Sequence, residues 1–173
     1  MTTSTIRAGF YGKLPVRGDF VRSGLSREFV LAWDEWLQDV LPDCKAALGE
    51  GFERLWAAAP VWRFRLAPGL CGPLGAGGVW LASRDRVGRA FPLVLASEPD
   101  TGMDGFFDAA ERCGRAAMAG AMTPEELGAR LLDALPAGLS EPVFGASWWT
   151  GDGARVLGAS LPGPRDFASM LAP

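Results

Sequence analysis

The sequence contains no histidine, and this absence excludes several kinds of active site together. Histidine is the side chain whose ordinary pKa lies nearest to neutral pH, so it is the usual proton shuttle and a common metal ligand. Without it the chain cannot form a Ser-His-Asp triad, a Cys-His pair or a histidine-bearing zinc site. We therefore expect no catalytic residue, no metal site and no cofactor.

Cysteine is scarce as well, and no two cysteines form a CxxC pair. Cys44, Cys71 and Cys113 are odd in number and far apart, which is typical of free, buried thiols in a reducing compartment. No apolar run approaches the ~18 residues that a membrane-spanning helix needs. Residues 1–10 also lack the basic and apolar regions of a signal peptide. The sequence therefore predicts a cytoplasmic protein that does not insert into a membrane.

The charge is weak overall but uneven along the chain. The net charge of −3 disfavours bulk binding to nucleic acid. Residues 1–31 and 60–97 are net positive, whereas residues 32–59 and 98–173 are net negative. All cations except Lys13 and Lys45 are arginine. This bias has two interpretations: a GC-rich genome, or guanidinium groups placed to pair with carboxylates or phosphates.

Tryptophan, in contrast, is abundant, with seven residues. It is a large amphipathic side chain that is enriched in cores and at interfaces. Four tryptophans lie on apolar faces of predicted elements and are expected in the core: Trp33, Trp36, Trp62 and Trp80. Trp148 and Trp149 are consecutive in a predicted strand, so their side chains point to opposite faces. Either both faces of the sheet are covered, or one of this pair lies in an exposed contact patch.

Hydrophobic periodicity predicts the element order β-α(α)-β-β-β-α-α-β-β-α. The predicted strands are 6–11, 61–67, 78–83, 89–97, 143–150 and 155–159, and the main helices are 27–41, 103–121, one after the capping box at 123–126, and 164–171. Pro42 is expected either to end the first of these helices or to start a new turn. Arg63 and Arg65 alternate with apolar residues, which predicts a solvent-exposed face on their strand. The pattern indicates an α/β fold: a single domain, residues 1–173, built as a three-layer α-β-α sandwich around a mixed, mainly antiparallel sheet.

The most promising functional segment is the irregular loop 12–25, because long loops in compact domains are often functional. We expect a contact surface there, together with the neighbourhood of Arg89. Its candidate contact residues are Lys13, Arg17, Asp19 and Arg89, and the residues expected to shape it are Gly12, Pro15, Gly18 and Pro92.

Structural interpretations of the same residues remain open. Asp19 could pair with Arg89 or Arg63 and so tie the loop to the sheet. Residues 17–19 could form a tight turn with Gly18 at positive φ and Asp19 accepting a backbone N–H. Pro92 suggests an edge strand or a bulge.

Five segments together resemble one known family: 9–25 (GFYGKLPVRGDFVRSGL), 32–38 (AWDEWLQ), 60–72 (PVWRFRLAPGLCG), 83–93 (SRDRVGRAFPL) and 147–171 (SWW…LPGPRDFASML). Their order and spacing are similar to the N-terminal domain of the TagF/ImpM family of type VI secretion accessory proteins. The resemblance implies an α-β-α sandwich and a cytoplasmic, non-enzymatic regulator. It also implies post-translational repression of secretion through contact with the forkhead-associated scaffold protein of that apparatus.

Two other functions are compatible with the residues. An enzyme of another type could use Asp19, Asp34 or Lys13, which requires a deep pocket where these groups converge. A structural subunit of the secretion apparatus would instead copurify with the assembled machine at constant stoichiometry.

Overall fold

The computed structural model describes residues 5–102 and 104–172. The strands within them are β1 (Arg7–Gly12), β2 (Val21–Ser23), β3 (Trp62–Leu66), β4 (Ala76–Leu81), β5 (Leu93–Glu98), β6 (Ala146–Trp149) and β7 (Arg155–Gly158). The helices are α1 (Arg27–Leu48), α2 (Phe52–Ala58), α3 (Asp104–Met118), α4 (Pro124–Asp133) and α5 (Pro164–Met170). A single 3₁₀ turn, Gly49–Gly51, joins α1 to α2.

The strands form one sheet in the order β2-β1-β5-β4-β3-β6-β7. Every pair of neighbours in it is antiparallel. The predicted α/β class is therefore confirmed, and the sheet is more uniform than the mixed sheet that we expected. The reason is the placement of β1: it runs beside β5 in the opposite direction, although a long helical segment separates β1 from the other central strands in the chain.

Helices cover both faces of the sheet, as the three-layer prediction requires. On one face α1, α2 and α5 enclose a core that contains most of the aromatic side chains. On the other face α3 and α4 pack on β1, β4 and β5 through smaller side chains. Trp148 is buried in the first core and Trp149 packs against the second, where its ring meets Phe107 edge-on at 5.2 Å. The consecutive tryptophans thus serve both faces.

The four tryptophans expected in the core are all buried. Trp33 lies at its centre, with ring centroids of Trp36 at 4.9 Å and Phe64 at 5.1 Å. The three cysteines are free and buried, as predicted.

Pro42 does not end the first helix, so that alternative is wrong. Helix α1 continues through it to Leu48 and buries Leu41 and Cys44 on the same face as the preceding turns. Pro42 itself is exposed. Proline in a helix removes one backbone hydrogen bond. Burial of the apolar side chains on both sides of Pro42 offsets this loss.

The segment 12–25 contains a strand that periodicity did not reveal. Val21–Ser23 pairs with Phe10–Gly12 and forms one edge of the sheet. Three residues are too few to show an alternating pattern, so only the partner strand defines this element.

Pro92 is not on an edge strand. It lies directly before β5, which is flanked by β1 and β4 in the middle of the sheet. Proline is tolerated at this position because its missing N–H falls just outside the strand ladder.

We predicted a solvent-exposed strand face at Arg63 and Arg65, and this prediction is wrong, because both residues are partly buried. Arg63 donates to Asp108 at 2.7 Å and to Glu111 at 3.2 Å, both on α3. Arg65 donates to Asp100 at 2.6 Å. Arg63 therefore attaches β3 to α3, and Arg65 attaches it to the connection that follows β5.

Candidate protein-contact site

The predicted site residues come from two loops that lie side by side. The first loop follows β1 and the second joins β4 to β5. The N–H of Arg86 donates to the carbonyl of Arg17 at 2.8 Å, and the hydroxyl of Ser83 donates to the carbonyl of Lys13 at 2.7 Å. We call the loop 13–20 the Gly18 loop and the loop 84–91 the Asp85 loop. Together they build one surface.

The side chain of Asp85 points from its own loop toward the Gly18 loop and holds the two together. Its Oδ1 accepts the backbone N–H of Val87 at 3.1 Å and of Arg89 at 2.9 Å, which closes the hairpin turn. Its Oδ2 meets Nε of Arg89 at 2.6 Å and Nζ of Lys13 at 3.2 Å. The Asp85 side chain is fully inaccessible to solvent. One carboxylate therefore closes its own turn and holds the neighbouring loop.

The pKa of Asp85 reflects these contacts. Burial raises the pKa of the carboxyl group, but hydrogen bonds from Arg89 and Lys13 outweigh burial and hold the pKa well below its usual range. The carboxylate is thus ionised throughout the physiological pH range. Asp85 therefore presents a full negative charge to its neighbours at physiological pH.

The lowered pKa of Asp85 predicts how the stability of the protein depends on pH. A carboxyl whose pKa is lower in the folded state contributes stability above its unfolded pKa of about 3.9 and loses it as the pH falls toward the folded value. We expect the free energy of unfolding to decrease between about pH 5 and pH 3, and to decrease less in Asp85→Asn, which has no carboxyl to protonate there. Urea unfolding at a series of pH values measures both slopes. Equal slopes would contradict this role of Asp85.

Lys13 is not the exposed contact residue that we predicted. Only 8% of the residue is accessible, because its ammonium group points inward to Asp85 and lies 5.1 Å from the ring centroid of Phe20. Phe20 in turn stacks on Tyr11 at 5.5 Å and meets Phe91 edge-on at 4.8 Å. Lys13 therefore anchors the Gly18 loop and does not belong to its exposed face.

Asp19 does not pair with Arg89 or Arg63, so that interpretation is wrong. Arg89 is paired with Asp85, Arg63 is paired with α3, and Asp19 has no ion-pair or side-chain hydrogen-bond partner within residues 5–102 and 104–172. Gly18 is not at positive φ either. The turn lies earlier in the chain, at residues 14–17. The N–H of Arg17 donates to the carbonyl of Leu14 at 3.0 Å, and Pro15 takes the second position of the turn.

Two of the shaping residues contact each other. Gly12 ends β1 with φ of 141°, and a Cβ at this position would lie 2.1 Å from the carbonyl oxygen of Pro92. Only glycine permits this approach and this backbone conformation. The contact sets the direction in which the Gly18 loop leaves the sheet.

The exposed face of the site is basic and apolar. Arg17, Arg86 and Arg89 are exposed, and the side chain of Arg89 is 65% accessible. Val87 is 72% exposed, Val16 50% and Phe20 45%. Val16 and Arg17 also line a cleft of about 390 Å³ against the connection between α3 and α4. Arginine beside exposed apolar side chains is typical of a protein-contact surface.

Sequence patterns did not identify several residues of this surface. Nothing in a linear pattern indicates that Asp85 pairs with a lysine on another loop. Val87, Arg86 and Phe20 were not singled out because exposure depends on how the loops fold.

Two of the three groups proposed for catalysis are held by different partners, and Asp19 has no side-chain partner among the described residues. Asp34 accepts a hydrogen bond of 2.6 Å from the Tyr11 hydroxyl, and burial together with this bond raises the pKa of Tyr11 above its usual value. Lys13 is paired with Asp85, and Asp19 is exposed in the Gly18 loop. The main surface clefts of the described residues have linings that include neither Lys13, Asp19 nor Asp34.

The described residues contain no group of three or more side chains placed to hold a metal ion. None of their helices combines the length and the apolar character that crossing a bilayer requires.

Comparisons with known proteins identify the family and the fold of the chain. Residues 9–133 match the model of the TagF N-terminal domain, described as type VI secretion system-associated. No match was found among curated proteins. The fold is similar to the crystal structure of PA0076 from Pseudomonas aeruginosa PAO1, with a TM-score of 0.82 and 27% identity over 95% of this chain and 93% of that chain.

The matched region of the family model contains both loops of the contact site, and the similarity to the solved structure extends over nearly the whole sandwich. The chain therefore belongs to the TagF N-terminal domain family of type VI secretion system-associated proteins.

Proposed function

We propose that this protein is a cytoplasmic, non-enzymatic regulator that restrains type VI secretion by stoichiometric contact with the forkhead-associated scaffold of the apparatus. The contact surface is the exposed face of the Gly18 and Asp85 loops. The observation that carries this proposal is the exposed Val87 and its neighbouring arginines on a turn that a buried carboxylate holds rigid. A rigid surface loses little conformational entropy on binding, so its contacts contribute more fully to affinity.

We further propose that the whole chain, residues 1–173, acts as one domain. The family model ends at residue 133, but α5 and β6 complete the first core: Phe167 is buried against Trp36, and the indole N–H of Trp62 donates to the carbonyl of Met170 at 2.8 Å. The similarity to the solved structure over 95% of the chain also supports this extent.

Substitution of Val87 tests the proposed surface. Val87→Asp places a charge where an apolar contact is expected, and we expect the dissociation constant for the purified scaffold to rise at least about 30-fold, because an unpaired charge at the centre of an interface is costly. Isothermal titration calorimetry measures this change. In cells, the same variant is expected to release effector secretion from repression.

The chain offers a matched control. Leu157 is also 72% exposed, but it lies on β7. This strand forms one edge of the sheet, and β2, which follows the Gly18 loop, forms the other edge. Leu157→Asp is expected to bind the scaffold as the wild type does. If both variants bind with unchanged affinity, the Asp85 loop is not the contact surface. Constant copurification with assembled sheath or baseplate would instead favour a structural subunit.

A further inference from the structure

We propose that the contact surface receives an acidic segment of its protein partner. In this complex, partner carboxylates pair with Arg17, Arg86 and Arg89, and an apolar partner side chain covers Val87. The inference rests on the contact function proposed above and adds the chemistry of the partner.

Three arginine residues lie at Gly18. Nη2 of Arg89 donates to the carbonyl of Gly18 at 3.2 Å, and Nη2 of Arg86 lies 3.7 Å from where a Cβ of Gly18 would be. Arg17 precedes Gly18, and its carbonyl accepts the N–H of Arg86. Because Gly18 has no side chain, the backbone between these groups is open to an approaching peptide.

The positive charge of this turn is not neutralised by the chain itself. Residues 13–20 and 84–91 hold five cations and two carboxylates, although the whole chain carries a net charge of −3. Asp85 is buried beneath Lys13 and Arg89, and Arg84 pairs with Glu53 on α2.

Arg17 and Arg86 have no carboxylate within 4.0 Å in the part of the chain that the structure describes. Guanidinium groups form strong, bidentate hydrogen bonds with carboxylates. A partner with acidic side chains is therefore the electrostatic complement of this turn.

The apolar component favours a peptide over a bare anion. Phosphate or another small anion would pair with the arginines but would leave Val16, Phe20 and Val87 exposed to water. A protein segment that carries both acidic and apolar side chains satisfies both parts of the surface.

An arginine series on the purified scaffold is the first test. Arg17→Gln with Arg86→Gln removes two charges, and Arg17→Glu with Arg86→Glu reverses them. We expect the dissociation constant to rise about tenfold and about 100-fold, respectively. We also expect the binding of both variants to depend less on salt than the binding of the wild type does. Arg155→Glu with Arg165→Glu, on β7 and α5, is the matched control and is expected to change affinity little.

The second test needs no scaffold. A short synthetic peptide rich in Glu with one central Leu is titrated into the ¹⁵N-labelled protein, and the same peptide with Gln in place of Glu is the control. We expect the amide signals of Gly18 and Val87 and the Nε signals of Arg17, Arg86 and Arg89 to shift with the first peptide only.

The outcomes separate this inference from the proposed function. If Val87→Asp impairs scaffold binding but charge reversal at Arg17 and Arg86 does not, the contact function stands and the acidic partner is wrong. If the scaffold does not bind at all, the proposed function fails and the peptide titration decides the inference. Shifts that are equal for both peptides, or that lie elsewhere on the protein, overturn it.

Discussion

Gly12→Ala is expected to lower the free energy of unfolding by about 3–5 kcal/mol. Two physical causes act together. The φ of 141° at Gly12 is a conformation that residues with a Cβ rarely adopt, and the new methyl group would lie 2.1 Å from the Pro92 carbonyl oxygen and 2.9 Å from Cα of Leu93. Both neighbours are backbone atoms of a central segment, so neither can rotate away. Urea denaturation followed by tryptophan fluorescence measures the loss.

Gly18→Ala is the control for this prediction, because Gly18 lies in the same loop. A Cβ there would meet only the end of the flexible Arg86 side chain, at an ordinary contact distance of 3.7 Å, and φ is not in the left-handed region. We expect a change of less than about 1 kcal/mol, since alanine also restricts the unfolded chain. Similar losses for both glycines would show that the Pro92 contact is not what makes Gly12 necessary.

Lys13→Ala is expected to lower the free energy of unfolding by about 1–3 kcal/mol, because the buried Asp85 carboxylate loses one of its two cationic partners. The substitution removes the 3.2 Å contact with Asp85 and the approach to the Phe20 ring. Lys13→Met keeps most of the aliphatic side chain. If charge is the cause, this variant will be nearly as unstable as the alanine variant.

The second lysine of the chain is a natural control. Lys45 also lies over a phenylalanine, with its ammonium group 5.5 Å from the ring centroid of Phe52, but it is exposed on α1. Lys45→Ala is expected to change stability by less than about 0.5 kcal/mol, as for most surface substitutions. Equal effects at the two lysines in urea denaturation would refute the anchoring role of Lys13.

Much of the fold was predictable from local pattern. The apolar stripe of α1 and the capping box of α4 specified helices at the correct positions, since helix periodicity and capping are local properties. The turn at residues 85–88 was also predictable, because Asp at its start and Gly at its end are what such a turn requires. The consecutive tryptophans left two alternatives open, and the structure shows the one in which both faces of the sheet are covered.

The errors share a physical cause. Pro42, Pro92 and the three residues of β2 were misjudged because the energy that decides them comes from distant partners, not from neighbours in the chain. Arg63 and Arg65 were expected to face water for the same reason: alternation shows which side chains share a face but not whether a helix covers it.

The candidate contact site shows most clearly which features are set by the sequence and which by the tertiary structure. The amino-acid sequence alone determined that histidine-based chemistry is absent, that a glycine- and proline-containing loop follows the first strand, and that the chain resembles a secretion-associated family. Only the tertiary structure decided that Lys13 points inward and that Arg86 and Arg89 of one loop lie against Arg17 and Gly18 of the other. The physical reason is that burial and charge pairing are set by groups far apart in sequence, which the antiparallel pairing of β1 with β5 and of β4 with β5 brings together.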